Sequence, residues 1–362
     1  LCTSNLPDAT VIPSEHFNTV LYTGDNSVTP VTGVGFQPDF VSVKARSAGY
    51  TGYVFDSVRG SGSGKGLSTS STGAEGAQDQ YGYLTSFDSD GFSTTNGSDG
   101  GNPEATMHED GITYVAWNWK ANGSGSSNSS GDITSTVSAN ADAGFSIVKY
   151  TATGTTGHTV GHGLGAIPDA MLWKSLTTQS WNCFFPNTSL GATKGLQLDN
   201  TGAQGTVAHM NNTMPTSSVF SLGANGAASN AFADGVGQAY IVYCFKSIDG
   251  YSKFGAYSGN SSSDGSYVHL GFRPAFVMIK GSSHSGHWVI SNNKSTPYNV
   301  VNKGIIANDS AAEYTDPNLA CLIDYTSNGF KWRNSDDNNN LTGRTYIYIA
   351  FAETPFKYSN AR

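Results

Sequence analysis

Five stretches of the chain carry residue types that could do chemistry. His108-Glu109-Asp110 is the densest acid–base cluster and holds the parts of a general acid–base pair. His158 and His162 are spaced as metal ligands are on a helix. On a strand that spacing puts them roughly 13 Å apart, too far for one ion unless a tight turn intervenes. Asp88-Ser89-Asp90-Gly91 resembles the start of a calcium loop but lacks the further oxygen ligands and the closing glutamate, so it reads as a hairpin turn. Asp336-Asp337-Asn338-Asn339-Asn340 reads as a solvated loop. Arg59-Gly60-Ser61-Gly62-Ser63-Gly64-Lys65-Gly66 resembles a phosphate-binding loop, yet its spacing is one residue short, glycine follows the lysine and no helix follows. No Gly-x-Ser-x-Gly, no His-Glu-x-x-His and no Cys/His ligand grid accompanies them, and Glu15, Glu75, Glu104, Glu109, Glu313 and Glu353 present no obvious catalytic pair. The expectation is a non-enzyme with no catalytic residues, no cofactor and no metal.

The elements that must position these residues come from a repeat. Of 362 residues only 13% are charged, against roughly 25% in an ordinary soluble domain, while 12% are aromatic and 44 are glycine. This excludes helical bundles and intrinsic disorder and leaves an all-β chain. Net charge is −8 and no basic cluster occurs, so nucleic acid is not an expected partner. No apolar run approaches the ~20 residues that span a bilayer, so membrane insertion is not expected either.

Four markers recur three times in one order. The first is a proline with a lysine six residues on: Pro38/Lys44, Pro168/Lys174 and Pro274/Lys280. An aromatic strand follows, at Tyr53-Val54-Phe55, Trp181-Asn182-Cys183-Phe184-Phe185 and His287-Trp288-Val289-Ile290. Then come Lys65-Gly66-Leu67, Lys194-Gly195-Leu196 and Lys303-Gly304-Ile305, each with an alanine seven residues beyond, at Ala74, Ala203 and Ala312. A closing strand begins at Tyr114, Tyr240 and Tyr346, and from proline to that tyrosine the spans are 76, 72 and 72 residues. Such units have the size of small β-sandwich domains. The expected division is an opening segment 1–16, repeats at 17–121, 143–247 and 248–362, and a Gly/Ser/Asn-rich linker at 122–142.

Within a unit the sequence predicts six to eight short antiparallel strands as a β-sandwich or jelly roll, with negligible helix. Asp90-Gly91 and Asn328-Gly329 mark hairpins of the type I′ kind. The closing strand is expected to be central and buried. Cys183, Cys244 and Cys321 fall in apolar runs and read as small buried hydrophobes. The recurring Lys44, Lys174 and Lys280 read as strand-end residues, stems packed and heads in water. Loops after the second strand, Arg46 to Gly52, Ser175 to Ser180 and Gly281 to Gly286, differ most between units. Binding is expected there, on Tyr50, Tyr53, Trp181, His284 and Trp288, because aromatic faces and polar donors suit glycans.

Three stretches resemble repeat-containing virion surface proteins of aquatic tailed bacteriophages. They are Gly33-Val34-Gly35-Phe36-Gln37-Pro38-Asp39-Phe40-Val41, Ser86-Phe87-Asp88-Ser89-Asp90-Gly91-Phe92 and Phe351-Ala352-Glu353-Thr354-Pro355-Phe356-Lys357-Tyr358-Ser359-Asn360-Ala361-Arg362. The resemblance covers nearly the whole chain after Phe17. It implies a non-enzymatic structural or adhesion role on the virion surface, as a tail-fibre or receptor-binding component. Other virion proteins and host cell-surface glycans would be the partners, with a homotrimer by analogy with fibre proteins. A capsid decoration or cement protein and a polysaccharide-degrading tailspike are the alternatives left open.

Overall fold

The computed structural model describes residues 11–28, 30–223, 235–315 and 321–354. The first ten residues of the opening segment, with Cys2, and residues 355–362 of the terminal motif lie outside the described residues. The described chain is all-β, in antiparallel sheets, and its helix is limited to two three-residue 3-10 turns.

The first unit contains β1 (Phe17–Thr23), β2 (Val31–Thr32), β3 (Phe40–Ala45), β4 (Tyr53–Asp56), β5 (Leu67–Ser68), β6 (Tyr83–Asp88), β7 (Gly91–Thr95) and β8 (Thr113–Trp119). They form a five-stranded wall, β1-β8-β3-β4-β5, and a small sheet, β2-β7-β6. The second unit contains β9 (Ser126–Asn128), β10 (Ser135–Asn140), β11 (Phe145–Thr151), β12 (Thr159–Gly161), β13 (Ala170–Ser175), β14 (Asn182–Phe184), β15 (Lys194–Gln197), β16 (Gly205–Thr206), β17 (Val219–Ser221) and β18 (Ala239–Phe245). Its wall, β11-β18-β13-β14-β15, has the order of the first, and β12 pairs with β17 beside it. The third unit contains β19 (Ser252–Ser258), β20 (Tyr267–His269), β21 (Pro274–Gly281), β22 (Trp288–Asn292), β23 (Ile305–Ile306), β24 (Ile323–Thr326), β25 (Gly329–Trp332) and β26 (Thr345–Ala352). Its wall is β19-β26-β21-β22-β23 and its small sheet β20-β25-β24.

The closing strand sits inside each wall, between the opening strand and the post-proline strand. The pairing aligns Tyr22 with Tyr114, Tyr150 with Tyr240 and Tyr257 with Tyr346. Each pair stacks, with ring centroids 5.2, 5.3 and 5.2 Å apart. Aromatic pairs at facing cross-strand positions are the unit of sheet stabilisation, so one tyrosine pair pins the register of each wall.

Every wall is apolar on both faces. In β3, Val41, Val43 and Ala45 point outward and pack with Leu84 and Phe92 of the small sheet. The alternate residues Phe40, Ser42 and Lys44 point the other way, since side chains change face at every step. Those inward faces meet in one core that takes Phe40 and Trp119 from the first wall, Phe145 and Tyr243 from the second, and Phe276 and Phe351 from the third. The three closing strands end here, with Trp119 and Phe351 at 5.4 Å and Phe245 and Phe351 at 6.1 Å between ring centroids. The small sheets cover the outer faces, and among the described residues no unit covers its own inner face. Each fully buried large apolar side chain contributes roughly 1.5–3 kcal/mol, so the three walls close on one another.

Two segments differ from the sequence expectation. Residues 122–142 are built into the second wall, where β10 pairs with β11 and β9 with β10. Small β-capable residues such as Ser135, Val137 and Ser138 are buried there, so this polar stretch extends a sheet edge. The Asp90-Gly91 and Asn328-Gly329 hairpins form, but none of Ser89, Asp90, Ser327 and Asn328 has the positive φ of a type I′ turn. The glycines serve a close approach: a Cβ on Gly91 would lie 1.8 Å from the Val31 carbonyl oxygen, and one on Gly329 2.1 Å from that of Val268.

Candidate functional site

Lys44, Lys174 and Lys280 are 2%, 0% and 0% exposed, so their heads are not in water. The correction has a physical reason. Each lysine is on the inward face of its wall, where the neighbouring wall covers it, and two of its three donors are met by carbonyls. Lys44 Nζ donates to Tyr50 O of its own loop and to Asp309 O of the third unit, both at 2.8 Å. Lys174 Nζ donates to Gln179 O and, at 3.1 Å, to Thr72 O of the first unit. Lys280 Nζ donates to Gly281 O at 3.0 Å and to Thr201 O of the second unit at 3.1 Å. The first unit thus reaches the third, the second the first, and the third the second. Burial pushes all three ammonium pKa values down to about 8.

The Lys-Gly-[Leu/Ile] marker supplies the other side of each seam. The residue after its alanine donates its backbone N–H across: Glu75 to Leu176 O (3.1 Å), Gln204 to Ser282 O (2.8 Å) and Glu313 to Arg46 O (2.8 Å). Arg46 also forms a two-point ion pair with Glu313, at 2.7 and 3.2 Å. Trp181 and Trp288, 1% and 0% exposed, donate Nε1–H to Ser68 O and Gln197 O of the adjoining unit at 2.7 and 2.8 Å. In the first unit Gly52 precedes the strand where these tryptophans stand, and Thr69 Oγ1 bonds Ala307 O at 2.8 Å across that seam.

The residues expected to bind glycans are placed as follows. Trp181 and Trp288 are in the seams. Tyr53 is 6% exposed in the outer core of the first unit. His284 is 7% exposed, and its Nε2 pairs with Asp337 O at 2.8 Å. Tyr50 is half-buried, and the Glu109 carboxylate near its hydroxyl pushes its pKa up to about 12. Tyr50 and Glu109, far apart in the chain, are thus brought together; the other four are spread over the three units.

Several residues of the stretches with chemical residue types are likewise engaged inside the protein, while Asp90, Asp110 and Asp337 stay exposed. His108 is buried, its Nε2 lies 2.6 Å from Asn96 Oδ1, and burial lowers its pKa. His162 is fully buried against Thr216 O. Arg59 Nε is 2.5 Å from Asp56 Oδ2, which also accepts the Tyr243 hydroxyl of the second unit at 2.7 Å. The 336–340 loop is not solvated throughout. Asn339 and Asn340 are 0% exposed, and Asn340 Nδ2 serves Asn260 Oδ1, Ser262 O and Asn334 O at 2.7–3.0 Å. An asparagine run is a loop signal when local, but here Asn260 and Ser262, from a distant segment, and Asn334 of the same loop hold Asn340 inside the protein. Cys183, Cys244 and Cys321 are buried and unpaired.

Among the described residues, clefts of about 230 Å³ open at two places. One lies on the first unit beside Tyr22, Asp25 and His108. The other crosses the seam between the first and third units, between Asn18 and Thr19 on one side and Asn293 and Lys294 on the other. Sequence reasoning missed the second cleft, although one signal pointed to it. The residue after the marker proline is Asp39 and Asp169 in two units and Ala275 in the third.

No curated protein and no solved structure matches the chain. Its fold, its three seams and its two clefts fall within one region of matched sequence: across residues 12–355 the chain belongs to the DUF7483 family, a domain of unknown function.

Proposed function

We propose that this chain is a non-enzymatic structural and adhesion protein of a bacteriophage particle, a tail-fibre or receptor-binding component that contacts host-surface glycans. The observation that carries the reading is the use of the reactive side chains. The recurring lysines, the Arg59–Asp56 pair, His108 and His162 are all buried in contacts that hold the three walls and their loops. What faces outward is loop and cleft on a scaffold closed by its own chain, which is the arrangement binding proteins use. The sequence resemblance to phage virion repeats supplies the location.

Cryo-electron microscopy of a particle carrying the protein tests the location. Density at the tail tip or fibre is expected, and density on the capsid lattice would replace this reading with a decoration role. Incubation of purified protein with host surface polysaccharide tests the absence of catalysis. Release of reducing ends would overturn it.

A further inference from the structure

The small sheet of the third unit differs from its two copies on the face it turns to solvent. Strand pairing aligns the copies: Val31 with Phe92, Val160 with Phe220 and Val268 with Phe330 are equivalent pairs, and all six side chains are buried. One residue on, the side chains face outward, because they change face at each step. There the first unit pairs Ser93 with Ser86 and the second pairs Thr159 with Ser221. Three of these hydroxyls are spent on their own units. Ser86 and Ser93 bond Asp88 at 2.7 and 2.6 Å, and Thr159 bonds Asp132 at 2.8 Å. The third unit has Tyr267 opposite Lys331, with Asp324 beyond on β24.

Tyr267 is 46% exposed, yet its ring is held in place. Its hydroxyl donates to Asn328 Oδ1 at 2.7 Å, and the exposed His269 stands beside it with ring centroids 6.4 Å apart. The hairpin turn explains why that acceptor is free. At the same turn position of the first unit, Asp90 spends its carboxylate on Gly33 N and Gly35 N, at 3.1 and 2.5 Å. In the third unit the N–H groups that follow β20, of Leu270 and Gly271, go to the Asn328 backbone oxygen at 2.9 and 3.0 Å, which leaves Oδ1 for Tyr267. An exposed aromatic face on an anchored ring is a preorganised contact surface.

The charges beside the ring are already engaged. Asp264 Oδ1 receives Lys331 Nζ at 2.5 Å and Arg333 Nη1 at 3.4 Å, Arg333 Nε reaches Asp324 at 2.5 Å, and Lys253 Nζ donates to His269 O at 3.0 Å. An ionic ligand would have to break these pairs. A neutral polyol would not, because the Asp264 side chain is 77% exposed and its Oδ2 is left to accept from a hydroxyl.

We propose that the outer face of β20 and β25 is a docking site for one neutral sugar residue of a surface glycan, its C–H face stacked on Tyr267 and its hydroxyls at Asp264 and His269. The site rests on the adhesion reading, to which it gives an address on the third unit.

The test uses the full chain and saturation-transfer NMR with the methyl glycosides of glucose, galactose, mannose and N-acetylglucosamine, and with methyl glucuronide as the charged counterpart. At least one neutral glycoside is expected to bind the wild type at millimolar concentration, more tightly than the glucuronide. Tyr267→Ala should weaken that binding about tenfold through loss of the stacked ring, and Asp264→Asn several-fold through loss of a charged acceptor. Tm should stay within about 2 °C of the wild type in both, because exposed side chains contribute little to the fold. Equal binding by wild type and Tyr267→Ala would overturn the site and leave glycan adhesion standing elsewhere on the surface. Binding of no neutral glycoside by the wild type, or tighter binding of the glucuronide, would also overturn it, and adsorption of the intact protein to host cells would then judge the adhesion reading separately.

Discussion

Replacing Lys44 by methionine removes the ammonium that joins the first and third units and keeps most of the buried stem. At pH 7 two large effects oppose each other. Tyr50 O and Asp309 O lose their donor, at roughly 1–3 kcal/mol for each carbonyl left buried. Against this, a pKa lowered by burial from 10.5 to about 8 means that the fold disfavours the ammonium by about 3 kcal/mol, a cost methionine does not carry. The neutral-pH change is their small difference, so pH dependence is the sharper readout. Below pH 8 the lysine is protonated in both folded and unfolded chains and its burial cost is present in full. Between about pH 8 and 10.5 the folded chain releases the proton and the unfolded chain keeps it, so stability rises with pH. From pH 7 to pH 9 the wild type should gain about 1 kcal/mol on Lys44→Met. Buried thiols and tyrosines, whose raised pKa values act in the opposite direction, are common to both proteins and cancel. Urea unfolding of both proteins at the two pH values measures the gain. A stability difference that stays flat or shrinks from pH 7 to 9 would refute the buried-lysine seam.

Three further perturbations test the seams and the fold by urea or thermal unfolding. Trp288→Phe removes the donor to Gln197 O, and a loss of about 1–3 kcal/mol is expected; no loss would mean that the indole bond contributes nothing to the seam. Asp56→Ala leaves the Arg59 guanidinium buried without its carboxylate, and about 3–5 kcal/mol should be lost, whereas a near-neutral result would show that the guanidinium escapes to solvent. Gly52→Ala places a Cβ 2.9 Å from Thr69 Oγ1 and should weaken its bond to Ala307 O, for a loss of about 1–3 kcal/mol; an unchanged Tm would show that this seam yields freely.

Much of the framework is legible in the residues themselves. Alternation and aromatic content mark an opening strand over Phe17–Tyr22 and a closing strand over Thr113–Trp117, the strands run over Phe17–Thr23 and Thr113–Trp119, and the tyrosines that mark the repeat are the ones that stack across the walls. The use of the loop aromatics is much less legible. Trp181 and Trp288 look like ligand platforms in sequence, and a tryptophan packed in a seam has the same local signature as one in a binding loop. Asn340 looks solvated, because its partners Asn260 and Ser262 belong to another loop.

The sequence by itself determined the strand content, the threefold recurrence of its markers and the scarcity of free acid–base groups, since each follows from local residue type and spacing. Only the tertiary structure decided what the recurrence is for. A period of two assigns residues to two faces of a wall, but it cannot say what covers each face. The inner faces are covered by the other walls, and this turns Lys44, Lys174 and Lys280 from apparent surface residues into buried bridges. It also makes the exchange of Asp39 and Asp169 for Ala275 into an open cleft. Both results depend on contacts between residues more than 70 positions apart, such as Lys44 with Asp309 and Lys280 with Thr201, and local pattern holds no record of those.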